Sequence, residues 1–64
     1  MQLYRLFIFD RFGRRIEETQ EFRAVDDQTA IELTGGWRRA RKAELWGPGR
    51  QVRTWSAGAR AFER

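Results

Sequence analysis

The chain has 64 residues and a mass of 7.7 kDa, the size of one small domain. It contains neither cysteine nor histidine, which excludes disulfides, thiolate or imidazole metal ligands and the commonest general base. Thirteen Lys and Arg residues against nine Asp and Glu give a net charge of +4, a balance that favours acidic partners.

Apolar residues at 41% and aromatic residues at 14% supply enough material for a packed core and argue against disorder. No apolar run approaches the roughly 18 residues that a membrane span needs. The first residues lack the basic region, long apolar segment and small-residue cleavage site of a secretory leader. A soluble cytoplasmic protein without a membrane partner is expected. Charge is unevenly spread: residues 1–34 hold five Arg and seven acids, whereas residues 35–64 hold eight basic residues and two acids.

Residues 1–10 are expected to form a strand with Tyr4, Leu6 and Ile8 on one side and Leu3, Arg5, Phe7 and Phe9 on the other. A strand that is apolar on both sides belongs in the middle of a sheet. Asp10-Arg11-Phe12-Gly13 supplies a turn, because Asp10 can accept a bond from its own backbone and Gly13 can take a positive φ. Residues 15–23 form the return strand, and Glu17, Glu18 and Glu21 suit an exposed edge that resists aggregation. A three-residue loop would set Ile8 opposite Ile16 and Gln2 opposite Phe22. Tyr4, Leu6, Ile8, Ile16 and Phe22 would then share one face, with Leu3, Phe7 and Phe9 beside Arg15, Glu17, Thr19 and Glu21 on the other.

Asp26 and Asp27 open a helix, since an aspartate at the N-cap accepts a bond from an orphan N–H and favours the positive end of the dipole. The spacing of Ala30, Leu33, Trp37 and Ala40, flanked by Ile31, predicts a helix over residues 27–39 with that stripe buried. Gly35-Gly36 interrupts it, either as a C-cap or as a place of close approach to the sheet. Residues 43–47 and 50–55 form a second hairpin about Gly47-Pro48-Gly49-Arg50. Trp46 pairs with Gln51, Leu45 with Val52 and Glu44 with Arg53, the last an attractive cross-strand pair. Ala43, Leu45, Val52 and Thr54 would line one face, with Trp46 and Trp55 on the other. Residues 56–64 show no partner and are expected to fray.

The expected fold is thus α+β: a ββαββ chain in one domain, core residues about 2–55, with a four-stranded antiparallel sheet in the order 2-1-3-4 and one helix on one face. Tyr4-Arg5-Leu6-Phe7, Asp10-x-x-Gly13, Asp26-Asp27-x-x-Ala30 and Glu44-Leu45-Trp46-Gly47-x-x-Arg50 together resemble a loose set of short uncharacterised bacterial proteins. The resemblance covers residues 3–54. It implies a compact cytoplasmic fold and no assigned activity, and Gly35-Gly36 departs from the Ala-rich helix of that set.

Catalysis finds little support. Ser56, the threonines, Tyr4 and Lys42 have no evident activating partner. Capping accounts for Asp26 and Asp27, Glu17 and Glu18 point to opposite faces of a strand, and Gly47-Pro48-Gly49 lacks the Lys-Ser/Thr of a phosphate-binding loop. No cofactor or metal is expected. Phe7, Phe9, Trp46 and Trp55 form the expected interaction surface, on a sheet face left open by the single helix, and a second copy of the chain is the first partner considered. The alternative is a nucleic acid, or an acidic protein, held by Arg38, Arg39, Arg41, Lys42, Arg50 and Arg53.

Overall fold

The computed structural model describes residues 1–58. The elements follow in the order β1 (Gln2–Phe9), β2 (Ile16–Ala24), α1 (Asp27–Trp37), β3 (Ala43–Gly47) and β4 (Arg50–Trp55). The strands form one antiparallel sheet in the order β2-β1-β3-β4, the expected architecture. The doubly apolar β1 is central, and the β2–α1–β3 connection passes over it.

Tyr4, Leu6 and Ile8 of β1, Ala24 of β2, Ala30 of α1 and Ala43 and Leu45 of β3 make the buried core, with Phe22, Ile31, Val52 and Trp55 packed against it. Burying one such leucine or isoleucine contributes about 1.5–3 kcal/mol. A core of this size leaves each remaining interaction a large share of the net stability.

The β1–β2 turn follows the sequence closely. The Asp10 carboxylate accepts from the Phe12 and Arg14 N–H groups, both at 3.0 Å. The Gly13 N–H donates to the Asp10 carbonyl at 2.9 Å, with Gly13 at φ +70°. The register is shifted from the expected one, however. Gln2 lies opposite Ala24 and Tyr4 opposite Phe22, and an irregularity at Glu17 brings Ile16 opposite Phe9. Ile16 therefore leaves the face of Ile8 and stands 51% exposed on the other side. The inserted residue reverses the side-chain parity that a regular ladder would give.

A second irregularity, at Val52, acts likewise on β4. Trp46 does pair with Gln51, but Leu45 lies opposite Arg53, Glu44 opposite Thr54 and Ala43 opposite Trp55. The expected Glu44–Arg53 pair is thus not formed, and Trp55 and Thr54 exchange faces relative to expectation. Pro48 and Gly49, the latter at φ +74°, make the two-residue corner, the positions a type II turn assigns to Pro and Gly.

Asp26 caps α1, its carboxylate accepting from the Thr29 N–H at 2.9 Å. The helix ends at Trp37 with Arg38 as C-cap, two residues before the expected end. Its buried line is Ala30, Thr34 and Arg38, whereas Leu33 is 42% exposed. Thr34 is tolerated there because its hydroxyl donates to the Ala30 carbonyl at 2.8 Å, a back-bond that satisfies it within the helix. Trp37 packs edge-on against Phe22, ring centres 5.1 Å apart. After the cap, Arg39 and Ala40 both take positive φ, +53° and +62°, and turn the chain back toward β3.

Gly35 and Gly36 neither end the helix nor meet the sheet: a Cβ at either position would find no atom within 4 Å. Replacing each by alanine should raise stability by about 0.5–1 kcal/mol. Thermal melts of G35A and G36A check this, and a fall in either midpoint would mean that the glycines serve something other than the fold. Beyond β4 the chain is tied down through Gly58, whose N–H donates to the Ala40 carbonyl at 2.7 Å. Residues 56–58 thus have partners, contrary to the expected fraying, and the remainder of that expectation lies outside the described residues.

Candidate functional site

The sheet has two unlike faces. On the covered side, two guanidinium groups approach the Trp55 ring, Arg38 at 5.6 Å and Arg53 at 5.5 Å from its centre. It belongs to the core margin, with Phe22 and Ile31, and not to the open surface. Tyr4, Phe22 and Trp37 are also used on this side.

The open face carries Leu3, Phe7 and Phe9 of β1, Ile16 of β2 and Trp46 of β3, as the register requires. Leu3 is 41% and Trp46 37% exposed. Leu3, Phe7 and Trp46 line a shallow groove of about 330 Å³ that ends at Gly47-Pro48-Gly49. The charged residues that the register sets on this face are Arg5, Glu21, Arg23 and Glu44, two cations balanced by two acids, and the Lys42 ammonium joins them at the margin, above the Phe9 ring. Arg5 Nε donates to Glu21 at 2.7 Å, and Glu44 accepts from the Trp46 indole at 3.2 Å. The face is therefore largely apolar, with its charges balanced except for Lys42 at one margin. Of the four residues expected to form the interaction surface, Phe7, Phe9 and Trp46 share it and Trp55 does not.

The six candidate polyanion contacts are dispersed by the fold. Arg38 is buried, and its guanidinium donates to the Arg41 carbonyl at 2.7 Å and reaches the Ser56 carbonyl at 3.4 Å. Burial first, and the neighbouring Arg53 second, lower its pKa. Arg39 pairs with Glu18 at 3.0 Å and Arg41 with Glu17. The Lys42 ammonium sits 4.5 Å above the Phe9 ring. Arg50 holds Asp27 through both carboxylate oxygens, at 2.6 and 2.7 Å. Arg53 lies against Trp55. The acidic β2 edge thus neutralises part of the basic segment that follows α1, a pairing across about twenty residues of sequence that composition by halves conceals.

A further constellation joins residues that are distant in sequence. The fully buried Tyr4 donates its hydroxyl to Asp27 at 2.6 Å, and the same carboxylate receives Arg50. Asp27 is held below the usual carboxylate range by the Tyr4 hydroxyl first and Arg50 second, and Tyr4 is raised, chiefly by that same bond. The only signal in the sequence is Asp27 beside a capping aspartate, because its partners lie 23 positions away in either direction. The arrangement joins the first turn of α1 to β1 and β4.

Among the described residues no group of three or more His, Cys, Asp or Glu side chains converges, and no helix is long and apolar enough to cross a membrane. No protein-family model, curated protein or solved structure matches the chain.

Proposed function

We propose that this chain is a small non-enzymatic interaction protein of the cytoplasm that pairs with a second copy of itself through the open sheet face. The observation that carries the reading is the charge balance of that face. Leu3, Phe7, Phe9, Ile16 and Trp46 lie on it together, and Arg5, Glu21, Arg23 and Glu44 cancel one another, leaving Lys42 at the margin as the one excess cation. An apolar face with so little excess charge can meet its own copy about a two-fold axis with far less repulsion than two chains of +4 would otherwise feel. Face-to-face packing of two such sheets about 10 Å apart would remove the second face from water at about 25 cal/mol per Å² of apolar surface.

Sedimentation at micromolar concentration tests this directly, with a dimer as the expected mass. Trp46→Arg removes the largest apolar side chain of the contact and adds a cation to it, and the variant should sediment as a monomer while keeping the far-UV spectrum of the parent. A parent that remains monomeric at the highest soluble concentration overturns the reading; a variant that remains dimeric assigns the contact to another face.

The reading in which Arg38, Arg39, Arg41, Lys42, Arg50 and Arg53 hold a nucleic acid or an acidic protein is less well supported. Three of the six are in ion pairs and Arg38 is buried. A partner there would have to displace Glu17, Glu18 or Asp27 before meeting the charge.

A further inference from the structure

Among the described residues, a second group of arginines stands together outside any ion pair. Arg11, Arg14 and Arg15, all exposed, lie in the β1–β2 turn and have no acidic partner there. Between them Phe12 is 73% exposed, with the Arg11 guanidinium 6.0 Å from its ring centre. The turn itself requires only Asp10 and Gly13. Phe12 is no part of the core, so folding does not account for an aromatic ring left in water among three arginines of one turn, the Arg11 guanidinium beside it.

The turn is also pre-ordered. Asp10 accepts two backbone N–H groups and closes the turn with a third bond, while its own N–H donates to the Arg15 carbonyl at 2.8 Å. These bonds hold the Asp10 carboxyl below its usual range, the Arg14 N–H contributing most, so the one acid in the turn is occupied inward. The Lys42 ammonium approaches the Gly13 carbonyl at 3.4 Å and adds a fourth cation at the base. From Phe12 and Gly13 an open groove of about 490 Å³ runs past Lys42 to Trp55 and Ser56, with Glu44 and Thr54 along it.

We propose that this turn is a contact element for single-stranded nucleic acid: Arg11, Arg14 and Arg15 take consecutive phosphates, an unstacked base lies on Phe12, and the strand continues along the groove over Lys42. Cations that follow a backbone, with an aromatic platform between them, match the two needs of single-strand binding, charge neutralisation and stacking. A duplex keeps its bases stacked on one another and cannot use Phe12. Glu44 on the groove sets the phosphates on the turn side. The element is complete within one chain and does not rest on self-association.

Anisotropy of fluorescein-labelled oligothymidylate and oligouridylate, titrated with the full chain at about 50 and 200 mM salt, tests it. Phe12→Ala should weaken binding about fivefold or more with the salt slope unchanged, since stacking releases no counterions, and Phe12→Tyr should restore it. Arg14→Gln with Arg15→Gln should lower the log–log salt slope by about 1.4, roughly 0.7 for each phosphate no longer neutralised. Arg39→Gln with Arg41→Gln should change neither. All these variants retain Asp10 and Gly13, and their circular dichroism should match the parent. The proposal is overturned by absence of binding at low salt, or by Phe12→Ala binding like the parent. Equal affinity for a duplex of the same sequence, or equal competition by polyglutamate, would likewise overturn it and assign the turn to general polyanion or acidic-protein contact.

Discussion

Replacing Arg38 by glutamine is expected to unfold a measurable fraction of the chain at room temperature, whereas the same change at Arg39 or Arg41 costs no more than about 1 kcal/mol. The three arginines are close in sequence and unlike in surroundings. Arg39 and Arg41 reach exposed or half-exposed glutamates, pairs whose gain is offset by screening and side-chain entropy. Arg38 is 7% exposed, donates to the Arg41 carbonyl and covers Trp55. A hydrogen bond from a charged donor contributes about 1.5–3 kcal/mol, and a partly desolvated cation–π contact about 0.5–2 kcal/mol. Glutamine has no forked group to reach the same carbonyl, and it leaves that acceptor without a partner beside a shortened stem. A loss of about 2–4 kcal/mol is comparable to the roughly 3–5 kcal/mol that a core of this size supplies. Urea titration followed by tryptophan fluorescence would show it as a lowered midpoint with the slope retained. Melts should be compared at one protein concentration, because association adds to apparent stability. A midpoint for Arg38→Gln equal to that of Arg39→Gln would mean that the burial contributes nothing.

The contrast explains what composition alone could convey. A run of four cations after a helix reads as one surface, because a sequence shows proximity along the chain and not the direction of each side chain. Here α1 ends at Trp37, and the left-handed pair Arg39 and Ala40 reverses the path. Successive side chains then point into the core, onto the β2 edge and over Phe9. Glu17 and Glu18, read as an edge that repels other strands, are the partners that absorb Arg41 and Arg39. Arg11, Arg14 and Arg15, which have no acidic partner among the described residues, stand instead in the acidic half of the chain. They lie in a turn whose sequence signal, Asp10 and Gly13, reports backbone geometry and says nothing of what the intervening residues display.

The architecture was legible because several independent features agreed: a strand apolar on both sides, an Asp-x-x-Gly turn, an aspartate cap and a Pro-Gly corner. Strand order follows from these, since a strand apolar on both sides is expected inside a sheet, even though the side of Leu3, Phe7 and Phe9 is left open by the single helix. The faces of Ile16 and Trp55 were not legible, and for one reason. Side-chain parity propagates from a turn only through a regular ladder, and each hairpin contains one irregularity, at Glu17 and at Val52. No hydrophobic pattern marks an inserted residue when the neighbours on both faces are apolar. The helix stripe erred differently. Apolar spacing selects Leu33, but the line facing the sheet is Ala30, Thr34 and Arg38, two polar residues whose bonding needs are met locally. Burial there follows helix orientation, which the Tyr4–Asp27–Arg50 contact helps to fix.

That contact sets the pH limits of the fold on both sides. Asp27 has a depressed pKa in the folded chain, as do Asp26, through the Thr29 N–H and hydroxyl, and Asp10, through backbone N–H groups. A depressed carboxylate binds its proton more readily when unfolded, so its stabilisation is complete above the ordinary value near ~4 and is lost as pH falls through the folded value. Tyr4 is shifted the other way, upward, because ionising it beside Asp27 would break the bond and set two anions together. Its stabilisation is complete below the ordinary tyrosine value near ~10 and is lost as pH rises through the folded one. The thermal midpoint should therefore be flat between these limits and fall at both ends. Asp27→Asn lowers the midpoint at neutral pH, where it removes the charge that both Tyr4 and Arg50 address. As pH falls from the ordinary carboxylate value through the lower folded one, the parent loses the same charge by protonation, and the two curves converge. Tyr4→Phe removes the titrating hydroxyl, so the alkaline fall becomes shallower, and the acid fall becomes shallower too because Asp27 keeps only Arg50 to depress it. Parallel curves for the parent and Asp27→Asn through the acid range would sink this account, leaving acid sensitivity to the Asp10 turn and the Asp26 cap. An unchanged alkaline limb in Tyr4→Phe would mean that the buried hydroxyl does not set that limit.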